Sequence, residues 1–267
     1  MTVQSRREVK ALLERHGLSP NKHLGQHFLA DANITRKIVS LAEIEPGDPV
    51  VEIGPGTGTL TVALEEAGAE VTAIEVDAAL APILEEVTGA RIVIADAAEM
   101  DLGEVLDDRR WTLVSNLPYN VGTSIILDAL RFAPQIERMV VMVQMEVAQR
   151  LVAPAGSKTY GLPSVVVGLH GVARLALKVP PQVFVPAARV GSAVVVIERR
   201  PGHPESERAI EIAGAAFGQR RKMLRKSLSP VFGDAGAVIE RAGLDPTNRP
   251  EQLDPTDFIR LAEAEHG

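Results

Sequence analysis

Between residues 50 and 152 short apolar strands alternate with helices, and this constrains the fold more than any other feature of the chain. Residues 50–53, 70–75, 91–95, 111–115 and 138–143 read as strands, and residues 59–67, 78–87, 122–131 and 146–152 as helices. Strands separated by helices of about ten residues build βαβ units, so the expected core is a Rossmann-like α/β sheet, mostly parallel. Upstream, residues 6–16 read as a short polar helix and Asp31 as the N-cap of another, a helical extension over residues 1–45. Residues 163–179 and 193–198 look β-rich, which places His170 on a strand in a structural role. The segment Arg200-Pro201-Gly202-His203-Pro204 then breaks the pattern. Beyond it, residues 205–217, 220–228, 236–242 and 256–265 read as helices. The expected division is a larger α/β domain over residues 1–200 and a small all-helical domain over residues 205–267.

Composition narrows the function classes. The 267 residues contain no cysteine, which excludes disulfides, thiolate metal sites and a cysteine nucleophile. No His, Asp or Glu spacing points to a metal. The first sixteen residues are charged throughout and the apolar runs are short, so neither a secretory leader nor a membrane span is expected, and the expected location is cytoplasmic. The net charge of −7 speaks against nucleic acid only as an average. Residues 1–40 carry +4, residues 41–110 carry −14 and residues 111–267 carry +3. Within the last stretch, Arg220, Arg221, Lys222, Arg225 and Lys226 fall in a segment without one acid. On a helix, Arg221/Arg225 and Lys222/Lys226 would be like-charge i,i+4 pairs, which stability disfavours and phosphate binding explains.

Four strand ends carry chemistry. The first strand runs into Gly54-Pro55-Gly56-Thr57-Gly58, a turn that lets backbone approach a ligand at the carboxyl end of a strand. The dinucleotide fingerprint requires a glycine at position 59, where this chain has Thr; with Glu52 ahead of the turn, the form fits S-adenosylmethionine better than NAD. Glu75 ends the second strand, where a carboxylate can accept both ribose hydroxyls; Asp77 is the competing candidate. Asp96 follows the third strand and can accept from an adenine amino group. After the fourth comes Ser115-Asn116-Leu117-Pro118-Tyr119. There the Asn116 side-chain oxygen and the Leu117 carbonyl can each accept one hydrogen of an exocyclic amine. Pro118 fixes the turn and Tyr119 offers a face to a flipped base. Accepting both hydrogens favours a tetrahedral amine whose lone pair is free to attack a methyl in line, without a strong general base.

These motifs, in this order, resemble the bacterial 16S ribosomal RNA adenine N6-dimethyltransferase family over nearly the whole chain. His23 to Leu29 resembles its N-terminal GQNFL signature, residues 51–60, 74–77 and 96–97 its cofactor motifs, and Asn116 to Tyr119 its NLPY motif. Lys158-Thr159-Tyr160-Gly161 resembles its KxYG segment, and Val179 to Phe184, with Pro186 and Ser192, its VPPxxFxPxPxVDS segment. Residues 219–228 resemble the basic helix of its C-terminal domain. The resemblance implies a seven-stranded class I methyltransferase sheet, parallel apart from one strand, with a helical C-terminal domain. It implies S-adenosylmethionine as cofactor, contacted by His27, Leu29, Gly54, Gly56, Glu75, Asp96 and Asn116. Asn116, Leu117, Pro118 and Tyr119 would hold the target base, with Phe184 as second stacking partner. The implied substrate is a pair of adjacent adenines in the 3′-terminal hairpin loop of 16S rRNA, in the immature 30S subunit, contacted by Arg220, Arg221, Lys222, Arg225 and Lys226. A monomer without metal or membrane attachment is expected.

Three positions depart from the pattern. His27 stands where the family has Asn, Met145 where Lys is usual, and Gly191 where Asp is usual. An imidazole offers one ring nitrogen as donor or acceptor toward a ligand where an amide offers both. Two further enzyme readings share the acceptor motif, a resistance-type methyltransferase acting on 23S rRNA and a DNA adenine methyltransferase; outside catalysis, the chain could act as an assembly checkpoint that works mainly by binding immature subunits.

Overall fold

The computed structural model describes residues 4–21 and 24–266; His23, quoted above within the N-terminal signature, lies outside the described residues. Helix α1 (Arg6–Arg15) is held by a reciprocal cap in which Ser5 Oγ accepts from Glu8 N and Ser5 N donates to Glu8. A two-residue strand β1 (Phe28–Leu29) and α2 (Ala32–Ala42) follow; Asp31 caps α2 by accepting from the backbone of Asn33 and Ile34. Then come β2 (Pro49–Ile53), α3 (Thr59–Glu66), β3 (Glu70–Glu75), α4 (Ala81–Val87), β4 (Arg91–Ile94), α5 (Leu102–Val105), β5 (Trp111–Asn116), α6 (Gly122–Phe132) and β6 (Ile136–Gln144). The remainder is α7 (Met145–Leu151), α8 (Leu162–His170), β7 (Gly171–Val179), β8 (Phe184–Val185), β9 (Ser192–Arg199), α9 (Ser206–Gly218), α10 (Leu224–Ser227), α11 (Ala235–Arg241) and α12 (Pro255–Glu265).

Seven strands form one sheet in the order β4-β3-β2-β5-β6-β9-β7. The pairs β4/β3, β3/β2, β2/β5 and β5/β6 are parallel, and β9 runs antiparallel to β6. Burial on both faces explains why β6 reads as an unbroken apolar run from Met139 to Val143 rather than an alternating one, and why every residue of β2, Glu52 included, is buried. Strand order reverses between β2 and β5, and a crevice at such a switch point is where an open α/β sheet binds its ligand. A separate ribbon pairs β1 with β8 antiparallel, Phe28 with Val185 and Leu29 with Phe184. Trp111 is buried at the start of β5, as expected of a core residue, and its indole N–H donates to Asp107.

Two sequence expectations fail, each for a physical reason. Residues 162–170 are helix, not strand, so His170 closes a helix and its Nδ1 lies 3.0 Å from the Val166 carbonyl. The β-branched run of Val165, Val166 and Val167 favours a strand locally. Pro163 in the first turn and the Ser164 hydroxyl, which accepts from Gly161 N, start a helix instead. Burial of Val165 among Ala209, Ile212, Ala213 and Phe258 outweighs a propensity difference of a few tenths of a kcal/mol per residue. Residues 220–228 are not one helix either: α9 ends at Gly218, residues 219–223 turn, and α10 spans only four residues. The i,i+4 pairing of Arg221 with Arg225 and of Lys222 with Lys226 therefore does not exist.

The described residues form two compact units, 4–148 with 174–198, and 149–173 with 199–266. The second unit has its own core, in which Tyr160 and Val165 join Ala209, Ile212, Leu224 and Phe258. The break near residues 200–204 is therefore one of several crossings, because residues 149–173 pack with the C-terminal helices. Among the described residues no helix is long and apolar enough to cross a membrane.

Candidate active site

A cleft of about 870 Å³ opens at the carboxyl ends of β2, β3, β4 and β5, in the first unit. Its floor is the turn after β2. Gly56 takes a left-handed backbone (φ +61°), and a Cβ there would stand 2.7 Å from the Phe28 ring, so the turn is closed against the N-terminal ribbon. Gly58, also left-handed (φ +82°), starts α3. Gln4, buried near the N-terminus, stitches the turn from the other side: its Nε2 donates to the Thr57 carbonyl at 2.6 Å and its Oε1 accepts from Thr59 Oγ1 at 3.1 Å.

Glu75 ends β3 with its carboxylate over this turn, one oxygen accepting from Gly56 N (3.1 Å) and the other from Asp77 N (3.0 Å). Burial pushes its carboxyl above the usual range, and those two N–H groups work against the rise. Each oxygen keeps a further lone pair for a ligand hydroxyl. Asp77, the competing candidate, is occupied elsewhere: its Oδ2 accepts from Gln26 Nε2 at 2.8 Å and its Oδ1 caps the turn at Ala79. Asp96 is exposed beyond β4 with Oδ1 accepting from Ala98 N. Glu52 lines the inner wall at 1% exposure; burial lifts its carboxyl to about 8, against one hydrogen bond from Thr61 Oγ1 at 2.6 Å. In the sequence Glu52 is only an acid ahead of the turn, Gln4 carries no motif, and Gln26 belongs to the GQNFL-like segment without an assigned role.

The Asn116–Tyr119 segment closes the opposite wall. Ser115 Oγ donates to the Ile53 carbonyl and locks β5 to β2 at its end. Asn116 Nδ2 donates one of its two hydrogens to the His27 carbonyl at 3.0 Å, which fixes the orientation of the amide and leaves Oδ1 without a hydrogen bond from a described residue. The Leu117 carbonyl receives no hydrogen bond from a described residue, while its N–H is fixed to Met142 O. The two acceptors expected for an exocyclic amine are thus both uncommitted. Tyr119 is held by its hydroxyl, 2.7 Å from Ser192 Oγ, and burial raises that phenol above its ordinary value.

His27, Leu29, Gly54, Gly56, Glu75, Asp96, Asn116, Leu117, Pro118 and Tyr119, all expected at the site, line this one cleft. Phe184 does not; its ring is fully buried, with the His27 imidazole edge-on at 6.4 Å between centroids. In the second unit, Arg221, Lys222, Arg225 and Lys226 are exposed. Arg220 differs: it donates to the Lys158 carbonyl at 3.0 Å and approaches Glu251 at 3.6 Å, pinning the Lys158–Gly161 segment. Tyr160 of that segment is core, edge-on against Phe217.

The cleft has a defined charge. Glu75 and Asp96 line it, Glu52 beside them is held protonated by burial, and among its lining residues there is no Lys or Arg. A pyrophosphate would meet carboxylates there without a counter-charge, whereas a nucleoside bearing cationic sulfonium and ammonium groups would find complementary field. The acceptor set and the glycine turn therefore fit S-adenosylmethionine and not a dinucleotide.

Comparison with known proteins agrees. A small-subunit ribosomal RNA methyltransferase A of Leifsonia xyli is 45% identical over 269 residues, 96% of each chain. The protein of the same name from Kineococcus radiotolerans is 44% identical over 98% of this chain and 91% of its own. Among solved structures, a dimethyladenosine transferase from Plasmodium falciparum superposes with TM-score 0.74 at 23% identity, over 88% of this chain and 96% of that one. The 23S rRNA methyltransferase ErmE superposes with TM-score 0.68 at 25% identity, over 90% and 100%. The fold is that of a class I methyltransferase. The pattern described as "Ribosomal RNA adenine dimethylase" matches residues 17–265. With that match spanning both units and relatives above 40% identity, the chain belongs to the ribosomal RNA adenine dimethylase family.

Proposed function

We propose that the protein transfers methyl groups from S-adenosylmethionine to N6 of two adjacent adenines in the 3′-terminal hairpin loop of 16S rRNA, in the immature 30S subunit. The observation that carries the chemistry is the Asn116 amide. Its nitrogen is anchored on the His27 carbonyl, which leaves its oxygen available to accept from the amine, beside a Leu117 carbonyl that is likewise uncommitted.

S-adenosylmethionine would supply an electrophilic methyl on a cationic sulfonium. Glu75 would take the ribose hydroxyls, Asp96 the adenine amino group of the cofactor, and Gly54, Gly56 and Leu29 would give close backbone or apolar contact. For the substrate, Asn116 Oδ1 and Leu117 O accept the two N6 hydrogens and turn the lone pair toward the methyl. Tyr119 supplies a stacking face worth about 1–3 kcal/mol. No residue of the wall need act as a strong base, because the proton leaves an amine made acidic by alkylation; positioning and electrostatics supply the rate. Exposed Arg221, Lys222, Arg225 and Lys226 would hold phosphates of the rRNA, and the protein would act as a cytoplasmic monomer. Small-subunit specificity rests on the relatives above 40% identity, against which the ErmE likeness favours large-subunit rRNA.

The test supplies labelled S-adenosylmethionine with naked 16S rRNA, immature 30S particles or 50S particles. Dimethyladenosine in the 30S sample is expected; transfer to 50S alone overturns the proposal. Asn116→Ala should abolish transfer while subunit binding persists, and unchanged dimethyladenosine formation would refute the acceptor argument.

A further inference from the structure

The imidazole of His27 sits where the target base would be expected to stack. Its ring lies on Tyr119 at 5.5 Å between centroids with 29° between planes, and edge-on to Phe184 at 6.4 Å and 70°. Both are ordinary aromatic packing geometries. Its Nδ1 is 3.0 Å from the Pro186 carbonyl, so that nitrogen carries the proton and donates. The Phe184 ring has 0% exposure, packed within the core with the imidazole edge against it.

We propose that the His27 side chain is a base mimic that fills the stacking slot between Tyr119 and Phe184 in the RNA-free protein, and that the target adenine enters by displacing it. Everything that holds the ring in the slot belongs to the side chain: two aromatic contacts and one hydrogen bond. The backbone of the same residue does a separate job. Its carbonyl takes the Asn116 amide, and the next two residues are paired with Val185 and Phe184 in the ribbon. Rotation about the side-chain torsions therefore vacates the slot without disturbing the acceptor. The ring is partly exposed already, which gives it an outward path. His27 then acts as a selectivity residue: a base must out-stack an imidazole and break its hydrogen bond, which a planar purine can do and a solvent molecule cannot.

This inference rests on the proposed adenine substrate, and its test separates the two. The His27 ring resonances, assigned by their loss in His27→Asn, are followed by NMR in ring-labelled protein. Free protein should show ring-current shifts from Tyr119 and Phe184. Saturation with the 3′-terminal hairpin RNA should move them to exposed values, and the same RNA with abasic sites at the two adenines should not. In parallel, His27→Asn should lower the KM for immature 30S particles by about fivefold or more, since the competent fraction no longer carries the cost of opening. The S-adenosylmethionine dissociation constant should move by less than about threefold. Resonances that stay put with adenine RNA, or that move equally with cofactor alone, overturn the proposal, as does a KM that rises. Absence of methyl transfer to 30S by the wild type would instead refute the substrate itself.

Discussion

Glu52→Gln tests how the floor of the cleft is built. Glu52 lies in the middle of β2 at 1% exposure, with one hydrogen bond, from Thr61 Oγ1. Burial lifts its carboxyl from 4.5 to about 8; the Thr61 bond opposes this, and the nearby charges of Glu75 and Glu65 add to it. The folded state therefore holds a proton that the unfolded chain releases near pH 4.5. Stability is fully present below 4.5 and is lost as the pH rises through the window to about 8. Each pH unit within that window is worth about 1.4 kcal/mol, so the ceiling on the loss is about 5 kcal/mol. Glutamine has the same shape, still accepts from Thr61 and cannot ionise. Urea unfolding can be followed by the fluorescence of Trp111, the single tryptophan, which stands in β5 of the same unit. From about pH 5.5 to about pH 9 the stability of wild type minus variant should fall by about 3 kcal/mol or more. A difference that stays constant within about 1 kcal/mol over that range would show that Glu52 is not held protonated, and the burial argument would be wrong.

Four other perturbations follow from the geometry. Gly56→Ala combines a left-handed backbone with a Cβ against Phe28 and should cost about 2–4 kcal/mol in thermal denaturation. Part of that cost should return in the double variant with Phe28→Ala, and simple additivity of the two losses would refute the clash. Tyr119→Phe removes the hydroxyl bond to Ser192, about 1 kcal/mol, but keeps the face. It should retain methyl transfer within about fivefold, whereas Tyr119→Ala should lose about 10- to 100-fold; equal losses would transfer the role from ring to hydroxyl. Because burial raises Glu75, S-adenosylmethionine affinity measured by calorimetry should fall with decreasing pH from a value above 4.5. Glu75→Gln should weaken binding about tenfold and flatten that profile; an unchanged profile would exclude Glu75 as the ribose acceptor. Lys222→Ala should lower the salt slope of RNA binding by about 1 without loss of stability, while Arg220→Ala should lower the melting temperature through the Lys158 and Glu251 contacts. The reverse pattern would exchange their roles.

Much of the fold was legible because β2, β5 and β6 are buried on both faces and the helices between them keep a helical apolar period. The site was legible where function forces a residue type onto a strand end: Gly56 in a left-handed turn, Glu75 and Asp96 as acceptors, Asn116 beside a fixed proline. Residues 162–170 were not legible, since three consecutive valines speak for a strand until the packing partners in the second unit are known. The basic run was half legible. Its charges are exposed as composition implied, but the turn at residues 219–223 and the tether of Arg220 to Lys158 depend on contacts sixty residues away.

The sequence by itself determined the alternation of strands and helices over residues 50–152, the glycine turn, the acceptor segment and the concentration of acid in the cofactor half. These are set by local period, backbone freedom and charge, all of which are properties of neighbouring residues. Only the tertiary structure decided which way the Asn116 amide points, that Phe184 lies buried with His27 edge-on to it, that Asp77 is taken by Gln26, and that the N-terminal ribbon closes the turn through Phe28. Each of these is a contact between residues 28 or more positions apart, fixed by the close packing of side chains that no pattern along the chain encodes.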